Sequence, residues 1–150
     1  MLNNKSILIT GGTGSFGKKF IKTILDKYKP KKVIVYSRDE LKQYEMQQKF
    51  PDTSGSPMRY FIGDVRDYHR LKMAMTGVDV VIHAAALKQV PSVEAHPYEA
   101  VKTNIIGAYN VVTAAVARNV DRVIAVSTDK AVKPVSAMGM TKGLQEKLIL

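Results

Sequence analysis

Short apolar runs alternate along this chain with segments of helical period. Ile7-Leu8-Ile9, Val80-Val81-Ile82 (with Val78 just before) and Val123-Ile124-Ala125-Val126 carry no polar residue inside them. That is the signature of strands buried on both faces. The pattern predicts strands over residues 5–10, 32–36, 58–62, 79–82 and 122–126, and helices over 15–28, 39–49, 67–75, 94–118 and 136–150. The longest helix is expected to start at Pro97, a favoured first-turn residue. Such alternation implies an α/β fold, a doubly wound parallel sheet with right-handed crossovers and helices on both faces. There is no internal repeat or low-complexity segment, and residues 51–57 (PDTSGSP) form the clearest loop. Ligands bind beyond the carboxyl ends of the strands in such sheets. Those ends are Thr10, Tyr36-Ser37, Gly63-Asp64, His83–Ala86 and Ser127–Lys130.

The first strand runs into Thr10–Gly17, TGGTGSFG, and then into a helix starting near Ser15. This strand, glycine turn and helix are Rossmann-like. Gly11 permits the turn, Gly14 leaves room for a pyrophosphate, and Gly17 lets helix and strand pack closely. Free N–H groups at the helix start face the anion. Thr13, Ser15 and Phe16 complete the stretch expected to hold a dinucleotide.

The second strand ends in Ser37-Arg38, with Lys42 a helical turn on. An NAD site usually has a carboxylate here for the ribose 2′-hydroxyl, whereas a hydroxyl and a guanidinium suit the extra phosphate of NADP. Asp39 and Glu40 fit the first turn of a helix. After the third strand, Asp64 is placed to accept from an adenine amino group, with Val65 offering its backbone; capping of the next helix by Asp64 or Asp67 is the alternative. Ala84, Ala85 and Ala86 would let a flat cofactor lie against the backbone, or let strand and helix pack closely. Lys88 is oddly placed for a merely solvated lysine and is a candidate contact for an anionic substrate. Asn104 is either a satisfied core amide or part of a water and proton network. The small residues Gly107, Ala108, Ala114 and Ala115 would admit a close helix partner, one that a second subunit could supply.

The fifth strand ends in Ser127-Thr128-Asp129-Lys130, and the next helix carries Met138 and Lys142. A hydroxyl, a carboxylate and an amine at one strand end can orient a substrate, donate a proton and abstract one. Helix capping explains the stretch poorly, because the helix signal starts only after Pro134.

Composition narrows the classes. With 150 residues the chain suits one domain with a sizeable core. No apolar run approaches a membrane span, and the N-terminus shows no signal-peptide pattern. The absence of cysteine excludes disulfides and Cys-ligated metal and fits a reducing, cytoplasmic setting. His69, His83 and His96 have no metal-ligand spacing, so no metal is expected. The net charge is +10, much of it in Lys18, Lys19, Lys22, Lys27, Lys29, Lys31 and Lys32. Without interleaved aromatics or a nucleic-acid motif these read as a solvated helix face and turn; no nucleic-acid partner is expected, and the field favours an anionic ligand.

The stretches TGGTGSFG (10–17), YSRDELKQ (36–43), FIGDVRD (61–67), HAAALKQVP (83–91), KTNIIGA (102–108) and STDKAVKP (127–134) together span the chain. They resemble the N-terminal part of the extended short-chain dehydrogenase/reductases, and within these the inverting UDP-N-acetylglucosamine 4,6-dehydratases of bacterial surface-glycan biosynthesis. The resemblance implies NADP as cofactor, a UDP-sugar as substrate and a homo-oligomer at full length. It implies oxidation at sugar carbon 4, elimination of water across carbons 5 and 6, and hydride return to carbon 6 with carbon 5 inverted. Thr128 would hold the substrate near carbon 4, Asp129 would protonate the departing hydroxyl, Lys130 would take the proton at carbon 5, and Lys142 would hold the nicotinamide ribose.

Two departures stand out. The wider superfamily has Tyr four residues before the helical lysine, whereas this chain has Met138, which cannot transfer protons; a subgroup of these dehydratases is similar in having Met there. Lys142, Thr128 or a bound water remain candidates for the carbon 4 proton. The chain also ends at Leu150, before the further strands and substrate lobe of such enzymes, and is expected to be a fragment or shortened product, inactive alone. A non-catalytic NADP-binding module and a sugar-nucleotide epimerase are the competing readings.

Overall fold

The computed structural model describes residues 1–150. In chain order the elements are β1 (Ser6–Thr10), α1 (Ser15–Lys27), β2 (Lys32–Ser37), α2 (Glu40–Gln47), β3 (Met58–Ile62), α3 (Tyr68–Ala74), β4 (Val80–His83), α4 (Val90–Ala95), α5 (Pro97–Ala100), a π-wound segment (Val101–Ile106), α6 (Gly107–Ala117), β5 (Arg122–Ala125), a single 3₁₀ turn (Asp129–Ala131) and α7 (Ala137–Ile149). The strands form one sheet in the order β3-β2-β1-β4-β5, every neighbouring pair parallel. The doubly wound Rossmann-like fold is the one the sequence predicts.

Period-two alternation sends successive side chains to opposite faces. Ile7, Ile9, Val33, Val35, Val80 and Ile82 meet Ile21 and Ile24 of α1 and Met46 of α2. On the other face Leu8, Ile34, Tyr36 and Val81 meet Leu71 and Ala74 of α3 and Val111, Ala114 and Ala115 of α6. Asp39, Asp67 and Ser136 cap α2, α3 and α7, each accepting from the backbone N–H three residues on.

Two expectations need correction. The helix predicted over 94–118 is broken. Pro97 has no N–H and disfavours helical geometry in the residue before it, and His96 sits at φ −134°. A separate short helix, α4, precedes the break, and the turns after Ala100 are π-wound. Nor is β5 buried on both faces: Arg122 and Ile124 share an exposed face, and Ile124 is 52% exposed. No helix is long and apolar enough to cross a membrane.

Candidate functional site

A cleft of about 290 Å³ opens at the carboxyl ends of β1–β4. Its floor is the glycine turn. Gly11 has φ +65°, and a Cβ there would lie 2.8 Å from the Ala85 backbone; only glycine serves at this point. A Cβ on Gly14 would meet nothing nearer than Gly11 O at 3.3 Å, so that face of the turn is open. Gly14 is also the N-cap of α1, with no side chain capping the helix, so the first-turn N–H groups remain available to an anion.

Hydrogen bonds hold the cleft walls. Thr13 Oγ1 and Ser37 Oγ are 3.0 Å apart and buried, and Ser37 Oγ also accepts from Asp39 N. Arg38 and Lys42 line the rim, paired with Asp64 at 3.7 Å and Asp39 at 2.9 Å. Asp64 accepts from Arg66 N, Nε and Nη2 at 2.9, 3.0 and 2.8 Å. Partial burial pushes the Asp64 carboxyl up, but the Arg66 hydrogen bonds and charge outweigh this and hold it below the usual range. Asp67, not Asp64, caps α3. Val65, Ala84, Ala85, Ala86 and the exposed Lys88 all line the cleft.

Five of the expected cofactor residues, Ser15, Phe16, Gly17, Asn104 and Lys142, do not line the cleft. Gly17 is buried against Gly12, where a Cβ would come 2.3 Å from the carbonyl oxygen. Ser15 and Phe16 are exposed beside the cleft, Phe16 stacked on Phe20. Asn104 is fully buried behind the 84–88 loop: its Oδ1 accepts from Leu87 N at 2.8 Å, and its Nδ2 donates to Leu87 O at 2.9 Å and Thr141 Oγ1 at 3.0 Å. It is a clamp on the cleft wall and, of the two readings left open by the sequence, the satisfied core amide.

Beyond β5, Thr128 caps the 3₁₀ turn and donates to Asp129 Oδ1 at 3.0 Å, and Lys130 Nζ donates to the same oxygen at 3.4 Å. The structure brings hydroxyl, carboxylate and amine together, at the surface. The Asp129 side chain is 87% exposed, and the Thr128 hydrogen bond and the Lys130 charge hold its carboxyl below the usual value. Lys142 is buried on α7, donating to Val126 O at 2.6 Å and Gln145 Oε1 at 2.9 Å; desolvation lowers its ammonium to about 8. Met138 packs with Val93 and Ala100 in a small core cluster.

Sequence reasoning passed over several residues. Gln145 accepts from Lys142, and Glu146 accepts from Ser127. Thr103 lines the cleft. The helical spacing of Lys142 and Gln145 was a signal for the first; nothing marked Thr103. His83, at the end of β4, is fully buried with Nδ1 2.7 Å from Thr10 Oγ1. Thr10 Oγ1 accepts from Ala84 N and Ala85 N, so its own proton points to His83. Desolvation, with Lys142 nearby, depresses the imidazole to about 3.

The glycine floor, uncapped helix start and polar rim fit a dinucleotide phosphate, and no cluster of potential metal ligands exists. A family model described as "Polysaccharide biosynthesis protein" matches residues 7–150. A UDP-N-acetylglucosamine 4,6-dehydratase (inverting) from Campylobacter jejuni is 57% identical over 150 residues, covering 100% of this chain and 44% of that protein. A UDP-glucose 4-epimerase from Rickettsia prowazekii is 48% identical over 155 residues, covering 100% of this chain and 44% of that protein. The crystal structure of Pen from Bacillus thuringiensis superposes with a TM-score of 0.94 at 43% identity, over 99% of this chain and 45% of that one. DesIV, a dTDP-glucose 4,6-dehydratase from Streptomyces venezuelae with NAD and TYD bound, gives 0.82 at 25% identity, over 95% and 50%. The chain spans less than half the length of the curated relatives it matches.

Proposed function

Because the chain belongs to this polysaccharide-biosynthesis family, we propose that it is the cofactor-binding part of an NADP-dependent, carbon 5-inverting UDP-N-acetylglucosamine 4,6-dehydratase. The observation that carries the reading is the Thr128, Asp129 and Lys130 group at the end of β5, beside a glycine-floored cleft. Gly11, Thr13, Gly14 and the start of α1 would hold the pyrophosphate, Ser37, Arg38 and Lys42 the 2′-phosphate, and Asp64 and Val65 the adenine. When bound, NADP+ supplies a hydride acceptor for carbon 4 and later a hydride donor for carbon 6.

The chain's own residues move the protons. In water the Asp129–Lys130 pair rests as carboxylate and ammonium. A sugar lying over it desolvates both and favours the neutral pair, with the same proton moved from Lys130 Nζ to Asp129. Neutral Lys130 then takes the proton from carbon 5, and Asp129 gives its proton to the hydroxyl leaving carbon 6 as water. Thr128 Oγ1 holds the sugar near carbon 4. Lys142, whose ammonium burial lowers to about 8, Thr128 or a bound water would take the proton leaving the carbon 4 hydroxyl, a task Met138 cannot perform. A 4-epimerase expels no water and would leave Asp129 idle, so this second reading is weaker. The small residues Gly107, Ala108, Ala114 and Ala115 are buried in the chain's own core, so they offer no face to a second subunit.

The test is Asp129→Asn in a protein extended to the relatives' full length. Dehydration of UDP-N-acetylglucosamine is expected to fall about 10²- to 10⁴-fold with NADP+ affinity unchanged; a normal rate would sink the reading.

A further inference from the structure

A second groove, of about 390 Å³, lies outside the cofactor cleft, between α1 and the end of α2. Gly17, Ile21 and Ile24 pack α1 into the core, which turns Lys18, Lys19 and Lys22 away from the sheet along one wall. Lys18 and Lys22 are one helical turn apart and share a side of the helix. Across from them α2 buries Met46, and the chain then bends back: Lys49 N and Phe50 N both donate to Met46 O, at 3.0 and 2.9 Å. Tyr60 Oη donates to Phe50 O at 2.7 Å and pins that segment, so that Lys49 stands on the opposite wall, with Met46 and Phe50 also lining the groove.

Four ammonium groups therefore line a space that holds one carboxylate, Glu45. Lys22 is paired with Asp26, but Lys18, Lys19, Lys49 and Glu45 belong to none of the molecule's ion pairs. Lys5, Lys42, Arg66 and Lys102, by contrast, each reach a carboxylate. Like charges gathered on facing walls repel one another, and an anion between them would relieve that repulsion. The concave shape selects among anions. A flat surface would touch only the rims, whereas a compact ligand can enter and meet ammonium groups from both walls. Lysine offers three rotatable N–H donors on a point charge, which suits phosphate oxygens. A single phosphate carries too little charge to offset three unpaired ammoniums, whereas two or three linked phosphates carry enough.

We propose that the groove between α1 and α2 is a second anion-binding site, separate from the dinucleotide cleft, and that it takes a compact ligand bearing two or more phosphate groups.

The experiment titrates inorganic tripolyphosphate, and separately orthophosphate, into the chain by calorimetry, with and without NADP+ at saturation. Two double variants carry the same change of charge. Lys18→Gln with Lys49→Gln removes an unpaired cation from each wall of the groove, and Lys29→Gln with Lys31→Gln removes two exposed cations from the turn between α1 and β2. The wild type is expected to bind tripolyphosphate more tightly than orthophosphate, equally well in NADP+, and to melt at a higher temperature with tripolyphosphate bound. The groove variant is expected to lose roughly ten- to hundredfold in affinity, because two charge-assisted contacts are gone. The turn variant, whose charges are screened from the groove by salt, should stay within about twofold of the wild type. Ligand-free melting of the groove variant should be no lower than that of the wild type, which separates lost binding from lost folding. Equal losses in the two variants overturn the proposal by reducing the effect to net charge. Displacement by NADP+ overturns it by placing the anion in the cofactor cleft, and a wild type that binds no tripolyphosphate overturns it outright.

Discussion

Along the strand ends from β1 to β4, most hydroxyls and amides already have partners within the protein, whereas beyond β5 the polar groups face water. Thr13 holds Ser37, Thr10 holds His83 and the backbone of Ala84 and Ala85, and Asn104 grips Leu87 by both its edges. Thr128, Asp129 and Lys130 bond to one another and to nothing deeper. The first region has its geometry before any ligand arrives. The second has the right groups, but they lie exposed to water. Binding can therefore be a property of this fold, while the chemistry waits for something to exclude water from the Asp129–Lys130 pair.

The sharpest way to break this contrast is to add one methyl group at each region. Gly17→Ala would drive a Cβ to 2.3 Å from Gly12 O, backbone against backbone, with no flexible side chain able to give way. We expect a loss of about 3 kcal/mol or more in denaturant unfolding. Gly143→Ala, on α7, would meet only Ala131 O at 3.4 Å, an ordinary contact, and should be neutral or gain about 0.5–1 kcal/mol from helix propensity. Equal stabilities for the two variants would end the claim that the cofactor end is the tightly built one.

Much of this was legible in the sequence because it is local. Apolar runs and capping aspartates declare strands and helix starts within a few residues, and the glycine spacing reports a backbone that must turn and touch. What the sequence hid depends on distant partners. Asn104 was readable as a polar residue in an apolar stretch, but its two bonds reach Leu87 and a third reaches Thr141. Thr103 carries no sequence signal at all, since nothing local marks a buried hydroxyl left without a partner. The exposure of Ile124 was equally invisible, because the run Val123–Val126 looks like any strand buried on both faces. The Asp129 carboxyl, chosen as an acid, proves solvent-exposed and ionised here, which no motif could report.

A smaller effect sharpens the comparison through pH. His83 is neutral in the fold down to about pH 3, whereas in the unfolded chain it protonates near its ordinary value of 6.5. Between those values the unfolded state binds the extra proton, so stability falls as pH falls, by up to about 1.4 kcal/mol per unit. From pH 7 to 5 the loss due to His83 should be about 2 kcal/mol. The lowered carboxyls of Asp39, Asp64 and Glu99 add their loss only nearer pH 4. His83→Asn should flatten the dependence between pH 5 and 7 whatever its own stability, and an unchanged slope would show that the imidazole is not held dry at the cofactor end.

The mildest probe concerns the rim, where the tightly bonded region meets water. Arg38 is 57% exposed, its ion pair with Asp64 is long at 3.7 Å, and Lys42 is engaged by Asp39 rather than by a deeper group. Exposed pairs of this kind contribute about 0–1 kcal/mol, so both cations can leave their carboxylates for a 2′-phosphate at small cost. NAD lacks that phosphate and gains nothing from the exchange. Arg38→Ala should therefore lower NADP+ affinity about tenfold and leave NAD+ affinity within about twofold, read by parallel titrations. Equal losses for both cofactors would mean that Arg38 acts only by steadying Asp64 beneath the adenine. A wild type that binds NAD+ as tightly as NADP+ would remove the phosphate from Ser37, Arg38 and Lys42 altogether, leaving the glycine turn and the adenine end to carry the binding.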